Sequence, residues 1–502
     1  MTDSSDLSLN SVDTPAPWEV VFADATTNGS PENPTRAGFL ALMQEGKDVW
    51  NAWRNAYPCQ EQLENGIYQI FVGPRINLNG CIFENEMNFA EFQFGDGANF
   101  EGAKFKRGAI FVGARFGNGA SFGFTEFHVV ATFLGAQFGN GARFTGARFV
   151  GQVFFRAAQF GQQADFSGAC FESNDAHFEG SQFGDSAEFR GTRFSKPALF
   201  GGCDWASLGR IYGKLFDNRR EWATFQGLDP QTFGSIDFGG ARFEGGADFS
   251  NRRFTGRTNF GLSLKYSASQ ISRDEHGDVS KVTGEDGQVV QVKIPASQPT
   301  FFEFPPLFHN STLHQDTSFR DAIFPDKPRG NEMFARAYRT LKQAFAQQHA
   351  VREEQRFFKL EMAEEAALET GAKRCLYRIY EKVADYGFSF ARPVAWGLGL
   401  TVFFAIIYGA LMCGAGKTTG FAVLSEAPID WQLTTQWAQF VLLNLFPLLG
   451  FDETLKELRS TLFGTSGWWP LLATIAEAMH KICVFLAVFL IGLALRNLFK
   501  LK

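Results

Sequence analysis

Few residues in this chain carry chemistry. Its 502 residues include only seven cysteines and seven histidines. The cysteines (59, 81, 170, 203, 375, 413 and 483) are odd in number and never fall in a CxxC pair. That excludes a disulfide framework or thiolate zinc site and reads as reduced thiols of a cytoplasmic compartment. No HExxH, GxSxG or P-loop string occurs, so metalloprotease, serine hydrolase and nucleotide chemistry have no motif to rest on. No catalysis, cofactor or metal is expected. His309 and His314, with Asp316 beyond, come nearest to a metal pair, but they fall on successive sides of the repeat described below. Net charge is only −6, and acidic and basic residues nearly balance between 78 and 260. Such a balance excludes an electrostatic footprint for nucleic acid and a strongly acidic surface imitating DNA. Residues 1–35 are rich in Ser, Asp, Thr and Pro without an apolar core. They are expected to be disordered, with no leader peptide.

Phenylalanine and glycine are abundant instead, with 58 and 52 copies. Phenylalanine recurs in steps of six and five at Phe83, Phe89, Phe94, Phe100, Phe105, Phe111, Phe116, Phe122, Phe127, Phe133, Phe138, Phe144, Phe149, Phe155, Phe160, Phe166 and Phe171. A small residue stands two places before most of them, as at Ala98, Ala103, Ala109 and Ala114. Neither the helical period nor simple strand alternation gives this spacing. A fixed short period marks a solenoid, whose units bury their apolar side only against neighbours. Each unit reads as one side of a squared coil, with the Phe and the small residue inward and the residue between them outward. Four sides make a coil of about 22 residues, and coils stack at roughly 4.8 Å. Every fourth ring then lies over the last.

The repeated AxFxGAxFxxxAxF pattern resembles the pentapeptide-repeat family in its Phe-centred form. The resemblance implies a mainly-β, right-handed quadrilateral β-helix. Within 36–58, Gly46, Trp50, Asn51, Trp53 and Arg54 are similar to the amphipathic helix that precedes such solenoids. Trp50, Trp53 and Arg54 are then expected to cap the first coil and cover its strand edge; a peptide-binding aromatic site is the functional alternative. The solenoid is expected over 76–325, with a phase slip after Phe171 and insertions at 206–232 and 261–300. The second insertion should form a hairpin around GEDG at 284–287. The repeat segments sum to about eight coils, or about 40 Å.

Residues 329–388 switch to helical period and read as a helical linker covering the last coil. FFKLEM followed by ADYGFSFARP resembles the junction of membrane-anchored pentapeptide-repeat proteins, whose chains continue into transmembrane helices. A membrane domain is expected over 390–502. Its spans lie near 393–413 and 472–495, the second interrupted by Glu477, His480 and Lys481. The uncharged stretch 431–451 is expected to be re-entrant or interfacial. Arg378, Lys382 and Arg392 flank the first span and Arg496, Lys500 and Lys502 the last, which puts both termini in the cytoplasm of a multi-pass inner-membrane protein.

Two functions follow as expectations. One is a membrane-anchored scaffold whose rigid rod binds an unidentified protein, with membrane lipid as its other partner. The other is a pore or channel-like protein, a homo-oligomer whose rod senses or assembles. There Glu477 and His480 are the candidate pore residues, or else an interfacial anchor. LNLFPLLGFDE does not match a potassium filter.

Overall fold

The computed structural model describes residues 16–64, 68–172, 174–202, 232–262, 282–283, 289–290, 298–325, 327–417, 430–447 and 450–499. It divides into two compact units. One is Met1–Lys327 with Arg336–His349; the other is Pro328–Ala335 with Ala350–Lys502.

The first unit is a four-sided parallel β-solenoid. Its strands are two or three residues long, such as Arg115–Phe116 and Gln137–Phe138. Each pairs in parallel with the strand one coil away, Arg115 to Gln137 and Phe116 to Phe138. Three sides carry sheets of eight, seven and seven strands. The fourth carries three strands (Ala187–Glu188, Ile236–Asp237, Thr258–Asn259) and a run of single bridges.

The rings stand in columns. Phe100 and Phe122 are 4.8 Å apart and 2° from parallel; Phe122 and Phe144 are 5.0 Å and 3°; Phe144 and Phe166 are 4.7 Å and 2°. The strand spacing sets this separation, and rings from adjacent sides meet edge to face. Phe122 and Phe133 lie at 87°, and Phe133 and Phe144 at 90°. Each buried ring contributes roughly 1.5–3 kcal/mol, less than the roughly 5–10 kcal/mol that ordering the residues of one side costs, so a single side is unstable without its neighbours.

The coil corners turn through left-handed residues. At one corner Gly97, Gly119 and Gly141 have φ of 67°, 68° and 69°, where a side chain would be strained. Gln163 and Ser186 hold the same position in later coils at 59° and 65°. Beside it runs a side-chain ladder. The Asn118 N–H donates to Asp96 Oδ1 (2.7 Å), Asn140 N–H to Asn118 Oδ1 (2.8 Å) and Gln162 N–H to Asn140 Oδ1 (2.8 Å). It satisfies N–H groups that the strands do not reach.

The columns tolerate interruption. After Phe171 the coil gains a residue, yet Phe155 and Phe178 still stack at 5.0 Å. The first insertion lies outside the described residues except Thr232, which is already strand. Where the chain returns, Phe183 and Phe233 are tilted by 58°. Arg252 stands there at a small-residue position and is buried. Its guanidinium lies 4.3 Å over Phe233 and donates to the carbonyls of Ser181 (2.9 Å), Phe178 (3.1 Å) and Phe200. Of the second insertion, Val282–Thr283 and Val289–Val290 pair antiparallel, and the GEDG residues expected to turn between them lie outside the described residues. The ladder then resumes, Phe302 stacking on Phe243 at 5.0 Å and 3°.

Both ends of the solenoid are covered. At the start, local structure stands from residue 16 onward where disorder was expected over 1–35, and residues 1–15 lie outside the described residues. A 3-10 turn at Val21–Ala23, a helical turn at Ala25–Asn28 and an antiparallel pair of Gly29–Ser30 with Asn33–Pro34 are present. Polar side chains hold this segment by turn chemistry, which leaves no apolar period to read. Asp24 accepts from the Thr26 and Thr27 N–H groups, and Asn28 Nδ2 donates to the Val21 carbonyl at 2.7 Å. The single helix read over 36–58 is two, α1 (Arg36–Gln44) and α2 (Lys47–Ala56), broken at Gly46 with φ 91°. An antiparallel hairpin follows, Gln60–Glu64 with Tyr68–Val72. At the far end, helix α3 (Glu332–Gln347) places Tyr338 against Phe324 (6.1 Å) and Phe345 against Phe319 (5.9 Å).

The second unit is helical: α4 (Val351–Leu368), α5 (Gly371–Ala384), α6 (Ala391–Gly414), α7 (Trp431–Asn444), α8 (Asp452–Phe463) and α9 (Trp468–Phe499). The buried Glu364 carboxylate accepts from the backbone N–H groups of Arg329, Gly330 and Asn331, which lead into α3. Helices α6 and α9 run antiparallel, Gly414 beside Trp469, Phe404 beside His480 and Gly397 beside Ala487. The polar join at Glu477, His480 and Lys481 does not break α9, which continues from Trp468. Phe404, Tyr408, Met412, Phe440, Leu458, Leu462 and Phe463 form the core shared by α6, α7 and α8.

Candidate functional site

Stacked rings fill the inside of the solenoid, so only its outer faces and ends can meet another molecule. The ladder residues Phe83 to Phe171 are all buried.

The predicted cap residues lie on the first coil. The Trp50 and Trp53 rings are 5.3 Å apart, and neither is exposed, so no indole face remains open to a peptide. Trp50 Nε1 donates to the Gln93 carbonyl (2.8 Å) and Trp53 Nε1 to the Pro31 carbonyl (3.0 Å). Arg54 Nη1 donates to the carbonyls of Tyr57 and Pro74, and the guanidinium lies 4.4 Å over the Trp53 ring. Burial pushes the Arg54 guanidinium down to about 10. Asn51 does what a preceding strand would do: Nδ2 donates to the Glu91 carbonyl (3.0 Å) and Oδ1 accepts from the Gln93 N–H (2.8 Å).

The outer faces are polar and mostly self-paired. On one face Arg148 makes a two-pronged contact with Glu172 (2.6 and 3.1 Å), and Arg193 and Arg242 share Glu244 (3.1 and 2.8 Å). Exposed pairs of this kind contribute little net stability. On the next face His177 stacks on Phe154 at 4.9 Å, and Glu179 joins Arg156 (2.9 Å) and His177 Nδ1 (3.0 Å). Burial works to raise the Glu179 carboxyl; hydrogen bonds from His177 and Arg156 outweigh it and hold the group below its ordinary value.

The fourth side holds a cleft of about 680 Å³, lined by Ser186, Glu188, Arg190, Asp237, Arg257 and Arg320 among others. Arg190 bridges Glu188 (3.3 Å) and Asp237 (2.9 Å), and burial pushes the Glu188 carboxyl up. Sequence reading missed this cleft, because outward positions have no fixed residue type. Counting them coil by coil would have placed Asp165, Glu188 and Asp237 in one column.

Glu477 and His480 face different neighbours. Glu477 is buried between Arg459 of α8 (3.2 Å) and Lys481 (2.9 Å), and Lys481 also reaches Asp452 (3.3 Å). His480 is fully buried, stacked on Phe404 at 4.8 Å, with Nδ1 3.3 Å from Tyr408 Oη and Nε2 3.4 Å from Thr401 Oγ1. Together they tie α9 to α8 and α6. His314 spends its Nδ1 on the Asp316 N–H (3.1 Å), and among the described residues no group of three His, Cys, Asp or Glu is placed to hold a metal.

No curated protein and no solved structure matches the chain. Residues 133–176 match the family model described as pentapeptide repeats (9 copies). The same parallel coil continues on both sides of that match. The chain thus carries a pentapeptide-repeat β-solenoid, flanked by N-terminal helices and a C-terminal helical region.

Proposed function

We propose that this protein is a membrane-anchored scaffold that presents its solenoid to a protein partner. The observation that carries the reading is the surface of α6 and α9. A core helix of a soluble protein is mostly buried, yet the most apolar windows of these two are only 11% and 22% buried. Phe403, Ile406, Ile482, Phe485 and Phe489 all face outward. Both helices are long enough to cross about 30 Å of hydrocarbon. At 14 residues α7 spans about 21 Å, which suits an interfacial or re-entrant position. Arg378, Lys382 and Arg392 before α6 and Arg496 near the end of α9 support two crossings of an inner membrane, with both termini on the cytoplasmic side.

The solenoid supports the binding half of the reading. Its core is closed to ligands, while its outer faces offer fixed columns of charge and one polar cleft. A pore reading would need Glu477 or His480 to line a lumen, and both are engaged inside a single chain.

The test is fractionation of the full-length chain expressed in bacteria, followed by affinity capture from detergent. The protein is expected to resist an alkaline wash, to dissolve in detergent and to bring down a defined partner. The partner should be lost on Glu188→Lys with Arg190→Glu. Recovery in the soluble fraction would overturn the anchor, and a steady current across a planar bilayer would favour the pore.

A further inference from the structure

Helix α5 has the sequence GAKRCLYRIYEKVA and packs by only one side. Ala384 is buried on that side, and Tyr377 hydrogen-bonds Glu365 of α4. On the other side Leu376 and Ile379 are 65% and 49% exposed, and Val383 continues their line at helical spacing. Arg378 and Lys382 flank this stripe on the Ile379 side, and Arg374 begins the same row, four residues apart, on the far side of the helix. All three are exposed, and none forms an ion pair or hydrogen bond among the described residues. Lys373 lies on the other flank, paired to Glu369 at 3.5 Å. The one acid of the helix is Glu381, whose carbonyl accepts from Arg392 at 3.1 Å.

The helix is held beside the start of α6. It ends in a left-handed break at Asp385 and Tyr386, with φ of 50° and 56°. Lys359 and Arg392 clamp Asp385 at 2.6 and 3.6 Å. Phe390, 46% exposed, carries the apolar surface on to the first residue of α6.

We propose that α5 lies in the headgroup layer of an anionic bilayer. Leu376 and Ile379 enter the acyl boundary, and Arg378 and Lys382 contact lipid phosphates. This rests on the anchoring reading and adds a lipid preference to it. A protein surface or a second copy that covered Leu376 and Ile379 would have to bring acids for two cations. An anionic membrane supplies both partners along one plane, and α6 already brings α5 to it.

Hydrogen exchange on the full-length protein in lipid nanodiscs tests this. Residues 371–384 are expected to exchange about tenfold more slowly in phosphatidylcholine mixed with phosphatidylglycerol than in phosphatidylcholine alone. Arg378→Gln with Lys382→Gln should erase that difference and leave 391–414 protected. Leu376→Gln with Ile379→Gln should raise exchange in both lipids. Equal protection in the two lipids overturns the proposal, as does protection in detergent that grows with protein concentration, the mark of a second copy. Free exchange across 391–414 in nanodiscs would instead defeat the anchoring reading itself, and this proposal with it.

Discussion

Phe144 has one parallel ring above it, one below and others edge-on, while Phe154 ten residues later faces outward under His177. Phe144→Ala is expected to cost about 3–5 kcal/mol and Phe154→Ala about 1 kcal/mol, read from denaturant midpoints. Equal losses would mean that the columns do not carry the stability. The strained corner gives a gain instead. Gln163→Gly relieves a left-handed residue and should stabilise by about 1 kcal/mol, less the extra chain entropy of glycine. Glu179 sets a pH dependence. Its folded value lies below the unfolded one, so its contribution is complete above the unfolded value and is lost as pH falls through the folded value. Glu179→Gln should therefore be less stable than the parent at neutral pH and converge with it on acidification. The inward rings were legible because one spacing fits them all. Arg252 was not, because it fills a position where the pattern asks for a small residue, and only its length lets it reach three carbonyls.

Among the elements, the N-terminal cover depends on one amide. Asn51→Ala leaves the Gln93 N–H and the Glu91 carbonyl without their partner at an open sheet edge. The expected cost is about 1–3 kcal/mol, with a rise in aggregation on storage measured by light scattering. Loss of stability without aggregation would show that the edge stays covered by other means. The tryptophans of α2 stood out by their helical spacing, but an amide that mimics a strand has no period. The same reason hid the turns at 16–35. In the helical unit, Gly414→Leu should part α6 from α9, since even a Cβ there would meet the Trp469 ring at 2.4 Å. A lower melting temperature in detergent, reversed by Trp469→Ala, is the expected result.

At the scale of the whole chain, the change of period near 330 was plain, but the division of the linker was not. Arg336–His349 belongs with the solenoid, whereas Ala350 onward belongs with the C-terminal helices. Mixed charges on α3 and α4 look alike in sequence, and only the contacts of Tyr338 and Phe345 with the last rings separate them. A chain ending after His349 is thus expected to be soluble and monomeric by light scattering, and one ending after Phe324 to aggregate through its bare last coil. The ring columns also bear on how such a protein can change over generations. Because Phe144 sits where Phe122 sat one turn earlier, deleting or duplicating one complete turn rejoins the chain without disturbing either end. Other lengths are carried where the rings find their columns again, as they do past the extra residue after Phe171 and past both insertions. The distance between two features on the outer surface is therefore a counted quantity, inherited in increments of about 4.8 Å.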